Sequence, residues 1–145
     1  MTSEYSSVAV LLAAHNGMMW LEEQIESILS QKSILVKIFI SVDFSNDKTY
    51  DWCQNLAKKN TRVNVLPYGN TFGGAAKNFF HLIQNVDFLG FDYISLADQD
   101  DIWNDEKLHY AIETIKMEDL DGYSSNVIAF WSNGRKKLVK KSFPQ

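Results

Sequence analysis

Phe91-Asp92-Tyr93-Ile94-Ser95-Leu96-Ala97, followed at once by Asp98-Gln99-Asp100-Asp101-Ile102-Trp103, decides how the rest of the chain is read. The first seven residues make an apolar, strand-like run, and the run ends on three carboxylates within four residues. Carboxylates so close repel one another unless a cation or hydrogen-bond donors offset the charge. A hard divalent cation such as Mg²⁺ or Mn²⁺ suits oxygen ligands and commonly shares them with substrate phosphates. Alternate residues of an extended segment point the same way, so Asp98 and Asp100 can serve one ligand. The competing reading is a solvated turn that caps the helix after Asn104. Position at a strand end favours the cation.

Working outward, the same grammar recurs. Val8 to Ala14 is a buried apolar run that stops at His15-Asn16-Gly17, and Leu21, Ile25, Ile28 and Leu29 then mark one face of a helix. Val36 to Val42 is a second strand, ending in Asp43-Phe44-Ser45-Asn46-Asp47. Asp47 is a candidate cap for a helix carrying Trp52, Cys53 and Leu56. Arg62 to Leu66 is a short third strand; a turn-rich segment from Pro67 to Gly74 leads to a helix with Ala76, Phe79, Phe80 and Ile83 on one face. After the acids, Leu108, Ala111, Ile112 and Ile115 mark a further helix. Strands alternating with amphipathic helices predict an α/β fold, an open and mostly parallel sheet with helices on both faces. Such sheets bind ligands at the carboxyl ends of their strands, where the strand order reverses.

Bulk properties bound the function. A chain of 145 residues is about one domain's worth. With 46% hydrophobic and 22% charged residues, it has enough apolar material for a core. A net charge of −4 speaks against nucleic acid as a partner, which normally leaves a basic footprint. The single cysteine, Cys53, has no internal partner and fits a reducing compartment. No run approaches the roughly 18 apolar residues of a membrane span, and the N-terminus lacks the basic-then-apolar pattern of a signal peptide. The expected location is cytoplasmic, with contact at the inner face of the membrane as a second option.

Four segments carry a resemblance. They are Leu11 to Gly17 with Leu21 to Gln31; Ser41 to Thr49; Asn70 to Phe79; and Ala97 to Trp103. In this order and spacing, over about residues 8 to 115, the chain resembles a family 2 glycosyltransferase of the GT-A fold, near its rhamnosyltransferase-like branch. Four ordered matches are more specific than any lone motif. The resemblance implies a single nucleotide-sugar-binding domain over residues 1–145, a Rossmann-like GT-A sheet. The acceptor-binding part would be missing after about residue 120, so the chain reads as truncated.

Roles follow from the resemblance residue by residue. Ala13, Ala14 and His15 would line the base pocket, and Asp43 would hydrogen-bond the base. Asp98 would lie near the ribose, and Asp100 would coordinate the Mg²⁺ or Mn²⁺ that bridges the diphosphate. Gln99 falls within this acidic motif. Asp101 would bind a metal water or the sugar, and Lys77 with Gly73-Gly74 would pass beneath the nucleotide. The implied donor is a dTDP- or UDP-sugar, and the implied acceptor is a saccharide or a lipid-linked saccharide in cell-surface polysaccharide synthesis. Similar enzymes invert the anomeric centre with a carboxylate base from a later motif; Glu118, Asp119 and Asp121 come too soon to match it. Two positions depart from the pattern. Phe44 stands where the family usually has glycine, which questions the turn. His15 replaces a more usual tyrosine, another flat ring.

The remaining conspicuous residues have plainer readings. Trp20 and Trp52 sit in helical patterns and are expected in the core; Trp103 suits the core and the sugar's border equally well. His81 and His109 have no partner at ligand spacing. Cys53 reads as an inert buried thiol. Arg135-Lys136-Lys137 with Lys140 and Lys141 reads as a solvated hairpin, and less readily as a contact with anionic lipid. Two rival functions stand beside a transferase. One is a non-catalytic nucleotide-binding or protein-interaction module from a degenerate or truncated glycosyltransferase. The other is an acid-nucleophile phosphotransferase, disfavoured because its acids belong at the end of the first strand.

Overall fold

The computed structural model describes residues 5–141. Its elements are β1 (Ser6–Ala14), α1 (Leu21–Leu29), β2 (Ile34–Val42), α2 (Thr49–Lys59), β3 (Val63–Val65), α3 (Ala75–Asn85), β4 (Tyr93–Asp98), α4 (Lys107–Glu118), β5 (Val127–Phe130) and β6 (Lys136–Val139). The first four strands pair in parallel in the order β3-β2-β1-β4. The chain steps from β1 to β2 to β3 in one direction, then crosses back to place β4 on the other side of β1. Right-handed crossovers put α1 and α2 on one face and α3 on the other. The order reverses between β1 and β4, which makes the crevice at their carboxyl ends the place for a ligand.

β1 is central, and from Val8 onward every residue is buried. Burial on both faces explains why its sequence is a continuous apolar run without alternation. Ala9, Leu11 and Ala13 point to the α3 side, where they join Phe39, Leu66, Leu82 and Val86 in a core bordered by Phe79, Phe88 and Phe91. On α1, Leu21, Ile25 and Ile28 are buried as their spacing predicts.

Of the predicted buried face of α3, only Phe79 packs against the core. Phe80 is 63% and Ile83 46% exposed, whereas Asn78 and Leu82 are buried. The true stripe runs 78, 82, 86 with Phe79 beside it, and a polar residue sits at its head. Trp20, expected in the core, is 42% exposed just before α1, and Trp52 is half-buried. Trp103 is buried, with the Lys107 ammonium 5.1 Å from its ring centre. Asp47 is not the cap of α2, which is Lys48. It stands one residue earlier and accepts hydrogen bonds from the Thr49 amide and hydroxyl.

The chain divides into two compact units, one ending at His109 and one beginning at Tyr110. Within the second, β5 and β6 form an antiparallel hairpin, its residues mostly exposed, whose turn includes Gly134 at φ +83°. The basic run lies on and around β6, where Lys136 and Lys137 are exposed. Among the described residues no helix is long and apolar enough to cross a membrane.

Candidate active site

A cavity of about 470 Å³ opens at the carboxyl ends of the first unit's strands. Its wall draws Ala13, Ala14 and His15 from the end of β1, Asp43 and Phe44 from β2, and Asp98, Gln99 and Asp100 from β4. The segment leading into α3 adds Thr71, Gly73 and Gly74, and α3 itself adds Ala75 and Asn78. Nine of the eleven residues given a donor-site role in sequence, Gly73 and Gly74 included, therefore share one cleft. Lys77 and Asp101 are exposed and lie outside the lining.

Asp43 is only 5% exposed, and its carboxylate is engaged on both oxygens. Oδ1 accepts from the amides of Phe44 at 2.8 Å and Phe72 at 2.7 Å, and Oδ2 accepts from Gly73 at 3.0 Å. Asp43 thus pins the 70–74 loop over the end of β2, with one lone pair of Oδ2 still free. Gly73, at φ +72°, makes the turn that aims its amide at Asp43. Phe44 is not among the residues with positive φ, so position 44 has no need of a glycine.

Glutamine side chains fix the acidic loop, and sequence reasoning did not find most of them. Gln99 grips the backbone of His15 twice: Oε1 accepts from its amide at 2.7 Å and Nε2 donates to its carbonyl at 2.8 Å. Gln24, fully buried on α1, donates to the Asp98 carbonyl at 2.7 Å. Ser27 Oγ accepts from the Trp103 amide, while Gln31 donates to the Asn104 carbonyl and accepts from the Leu108 amide. The signal was present as polar residues interrupting an apolar helix stripe: Gln24 lies three residues after Leu21 and four before Ile28. A buried amide in that position needs partners off its own helix.

Gly17 leaves room for this clamp. A Cβ there would lie 2.5 Å from Gln99 Oε1 and 3.0 Å from Leu21 Cδ1. Gln99 cannot swing aside without releasing both bonds to His15. Gly17→Ala is expected to cost ~2 kcal/mol, read as a lower urea midpoint at unchanged slope. Pairing it with Gln99→Ala should give less than the sum of the two losses, because both disrupt one contact. Additive losses would show that the clash is relieved elsewhere.

Two acids near the cleft, Asp101 and Asp47, depart from ordinary surface carboxylates. Partial desolvation, then the charges of Asp98 and Asp100, raise the Asp101 pKa above the usual carboxylate range, with Lys107 pulling the other way. Burial works against ionisation of Asp47 too, but hydrogen bonds from Thr49 and Met18 hold it below the usual range. Burial pushes the Cys53 thiol up to about 12, the inert state expected of it. Among the described residues no three His, Cys, Asp or Glu side chains are arranged as a ready metal cage. The donor set instead fits a cation held by one or two carboxylates and completed by phosphate and water oxygens, the usual manner of Mg²⁺.

Comparison with known proteins agrees with this architecture. The family model described as glycosyl transferase family 2 matches residues 9–142. The dTDP-rhamnosyl transferase RfbG of Shigella flexneri is 45% identical over 135 residues, covering 92% of this chain and 47% of that protein. Glycosyltransferase GlyG of Streptococcus pneumoniae is 27% identical over 115 residues, covering 79% of this chain and 36% of that one. This chain spans less than half the length of either relative. Among solved structures, S. aureus TarS superposes with a TM-score of 0.64 at 18% identity, over 96% of this chain and 23% of TarS. TarS 1-349 in complex with UDP superposes with a TM-score of 0.61 at 17% identity, over 89% of this chain and 43% of that one. These likenesses show a shared fold. By the match along nearly its whole length, this chain belongs to glycosyl transferase family 2.

Proposed function

We propose that this chain is the donor-binding part of a metal-dependent, inverting glycosyltransferase. It moves a sugar from a dTDP- or UDP-sugar to a saccharide or lipid-linked acceptor in cell-surface polysaccharide synthesis, on the cytoplasmic side of the membrane. The observation that carries this reading is the convergence of His15, Asp43, Asp98 and Asp100 on one cavity at the switch point of the sheet. The family membership and the dTDP-rhamnosyl transferase relative support it, and favour dTDP as the nucleotide.

Each group has work suited to its surroundings. Ala13 and Ala14 give the cavity an apolar stretch of wall, and His15 lines it beside them. The free lone pair of Asp43 Oδ2 is an acceptor for a pyrimidine N–H. Asp98 meets the ribose. Asp100 would hold a Mg²⁺ or Mn²⁺ ion, which would offset the charge gathering on the departing diphosphate. Gln99, Gln24 and Gly17 keep these acids in register with the base wall. Deprotonating the acceptor hydroxyl falls to a carboxylate other than these three, because Asp43 is engaged by backbone amides and Asp98 and Asp100 serve the donor.

Calorimetric titration of the chain with dTDP and UDP, each with Mn²⁺ and with EDTA, tests the proposal. Saturable binding that needs Mn²⁺ is expected. If neither nucleotide binds in a metal-dependent way, the donor-binding reading fails.

A further inference from the structure

Phe44 lines the cavity at the end of β2, two strands from the acids at the end of β4. Neighbouring strands lie about 4.8 Å apart, so the two ends are separated by roughly 10 Å, the span from a diphosphate to its base. A single exposed apolar side chain is ordinary on a protein surface. This one, 52% exposed, is held in an unusual way. Its ring lies nearly parallel to that of Tyr68, at 11° and 6.4 Å between centres, and Tyr68 is stacked on Tyr50 at 13° and 4.2 Å. Tyr68 Oη accepts from the Ser45 amide at 3.0 Å, which fixes the middle ring. The Phe44 amide donates to Asp43 Oδ1 and to the Asn70 carbonyl, which fixes the backbone beneath the outer ring. The result is a braced aromatic ledge beside the acceptor of Asp43.

A ring that is already fixed loses little freedom on binding, so its contact area converts to affinity with a small entropic cost. Its surface has no hydrogen-bonding group to satisfy. Resting on the nucleotide-sugar reading above, we infer that Phe44 is the platform for the donor's base and favours thymine over uracil, through apolar contact with the 5-methyl group. The donors taken are then thymidine diphospho-sugars in preference to uridine ones. Asp43 reads the N–H that both bases share, and Phe44 reads the methyl that only one carries.

The test compares dTDP with dUDP, which differ in that methyl alone, by titrating the 145-residue chain in Mn²⁺. The unsubstituted chain should bind dTDP about fourfold more tightly, the equivalent of ~0.8 kcal/mol for one buried carbon. Phe44→Ala should weaken both nucleotides about tenfold, within the range of a lost base–aromatic stack, and bring their ratio close to one. Phe44→Tyr should restore both affinity and ratio. Because the ring is half in solvent, an unchanged circular dichroism spectrum and thermal midpoint will separate loss of contact from loss of fold. If the unsubstituted chain binds neither nucleotide, the donor-binding reading falls and this inference with it. If it binds both but Phe44→Ala keeps the same affinity and ratio, or binds more tightly, the inference alone is overturned.

Discussion

Asn78→Asp is expected to lower the stability of the chain by about 3 kcal/mol at neutral pH, through the exchange of an NH₂ group for an oxygen. Asn78 heads the buried stripe of α3 and is 2% exposed. Its Nδ2 donates to the Ser41 carbonyl at 3.0 Å and the Ala14 carbonyl at 3.4 Å, tying the helix to the ends of β2 and β1 at once. An aspartate presents an acceptor to two acceptors and adds a charge at a buried position. Its pKa must therefore rise, since both burial and the facing carbonyl oxygens disfavour the ionised form. A carboxyl whose folded pKa is raised costs most above that pKa and least below the unfolded value near 3.9. The deficit should accordingly narrow as the pH falls towards 4, where the protonated acid can donate to one carbonyl. For a chain of this length the loss corresponds to roughly 10 °C in thermal midpoint at pH 7. A midpoint within 2 °C of the parent, flat with pH, would mean that the side chain relocates and that α3 does not depend on this tie. Asn78 Oδ1 has no partner among the described protein groups, so the amide's whole structural contribution rests on its donor side.

That residue marks the boundary of what the sequence makes legible. The four parallel strands, α1, and the gathering of acids at strand ends were readable because burial on both faces writes continuous apolar runs, and because loops after strands collect polar residues. The reading faltered where a polar side chain replaces an apolar one at a buried position. A helical stripe is inferred from apolar residues alone, so Asn78 displaced the predicted face of α3 and brought Phe80 and Ile83 inward by mistake. Gln24 and Gln31 are invisible to an apolar pattern for the same reason. Their partners are backbone carbonyls and amides more than seventy residues away, and no local pattern encodes those distances. Phe44 was the reverse case. In sequence it stands where a glycine turn is expected, but the backbone at 44 is ordinary, and the side chain forms part of the cavity's wall.

The largest functional effect expected is at Asp100, and it should come without any loss of fold. Asp100 is exposed and lines the cavity, and after partial desolvation and the charge of Asp98 its own charge also raises the pKa of Asp101. Asp100→Asn keeps the shape and removes one of three mutually repelling charges. In the absence of metal the variant should be at least as stable as the parent. The Asp101 pKa should move back towards the usual range, visible as a lower midpoint in its carboxyl ¹³C titration. With Mn²⁺ present, affinity for dTDP should fall roughly a hundredfold, the equivalent of ~2.7 kcal/mol, because the cation loses an anionic ligand that water replaces poorly. The decisive comparison is with the parent in EDTA. If Asp100 acts through the cation, the variant in Mn²⁺ and the parent without metal should bind dTDP about equally. Asp98→Asn should behave differently, weakening binding with and without Mn²⁺, since its expected contact is with the ribose. An Asp100→Asn protein that keeps its Mn²⁺ dependence would move the cation to other ligands. The repulsion among the three acids would then need a structural explanation, as a solvated turn held by Gln24 and Gln99 from behind.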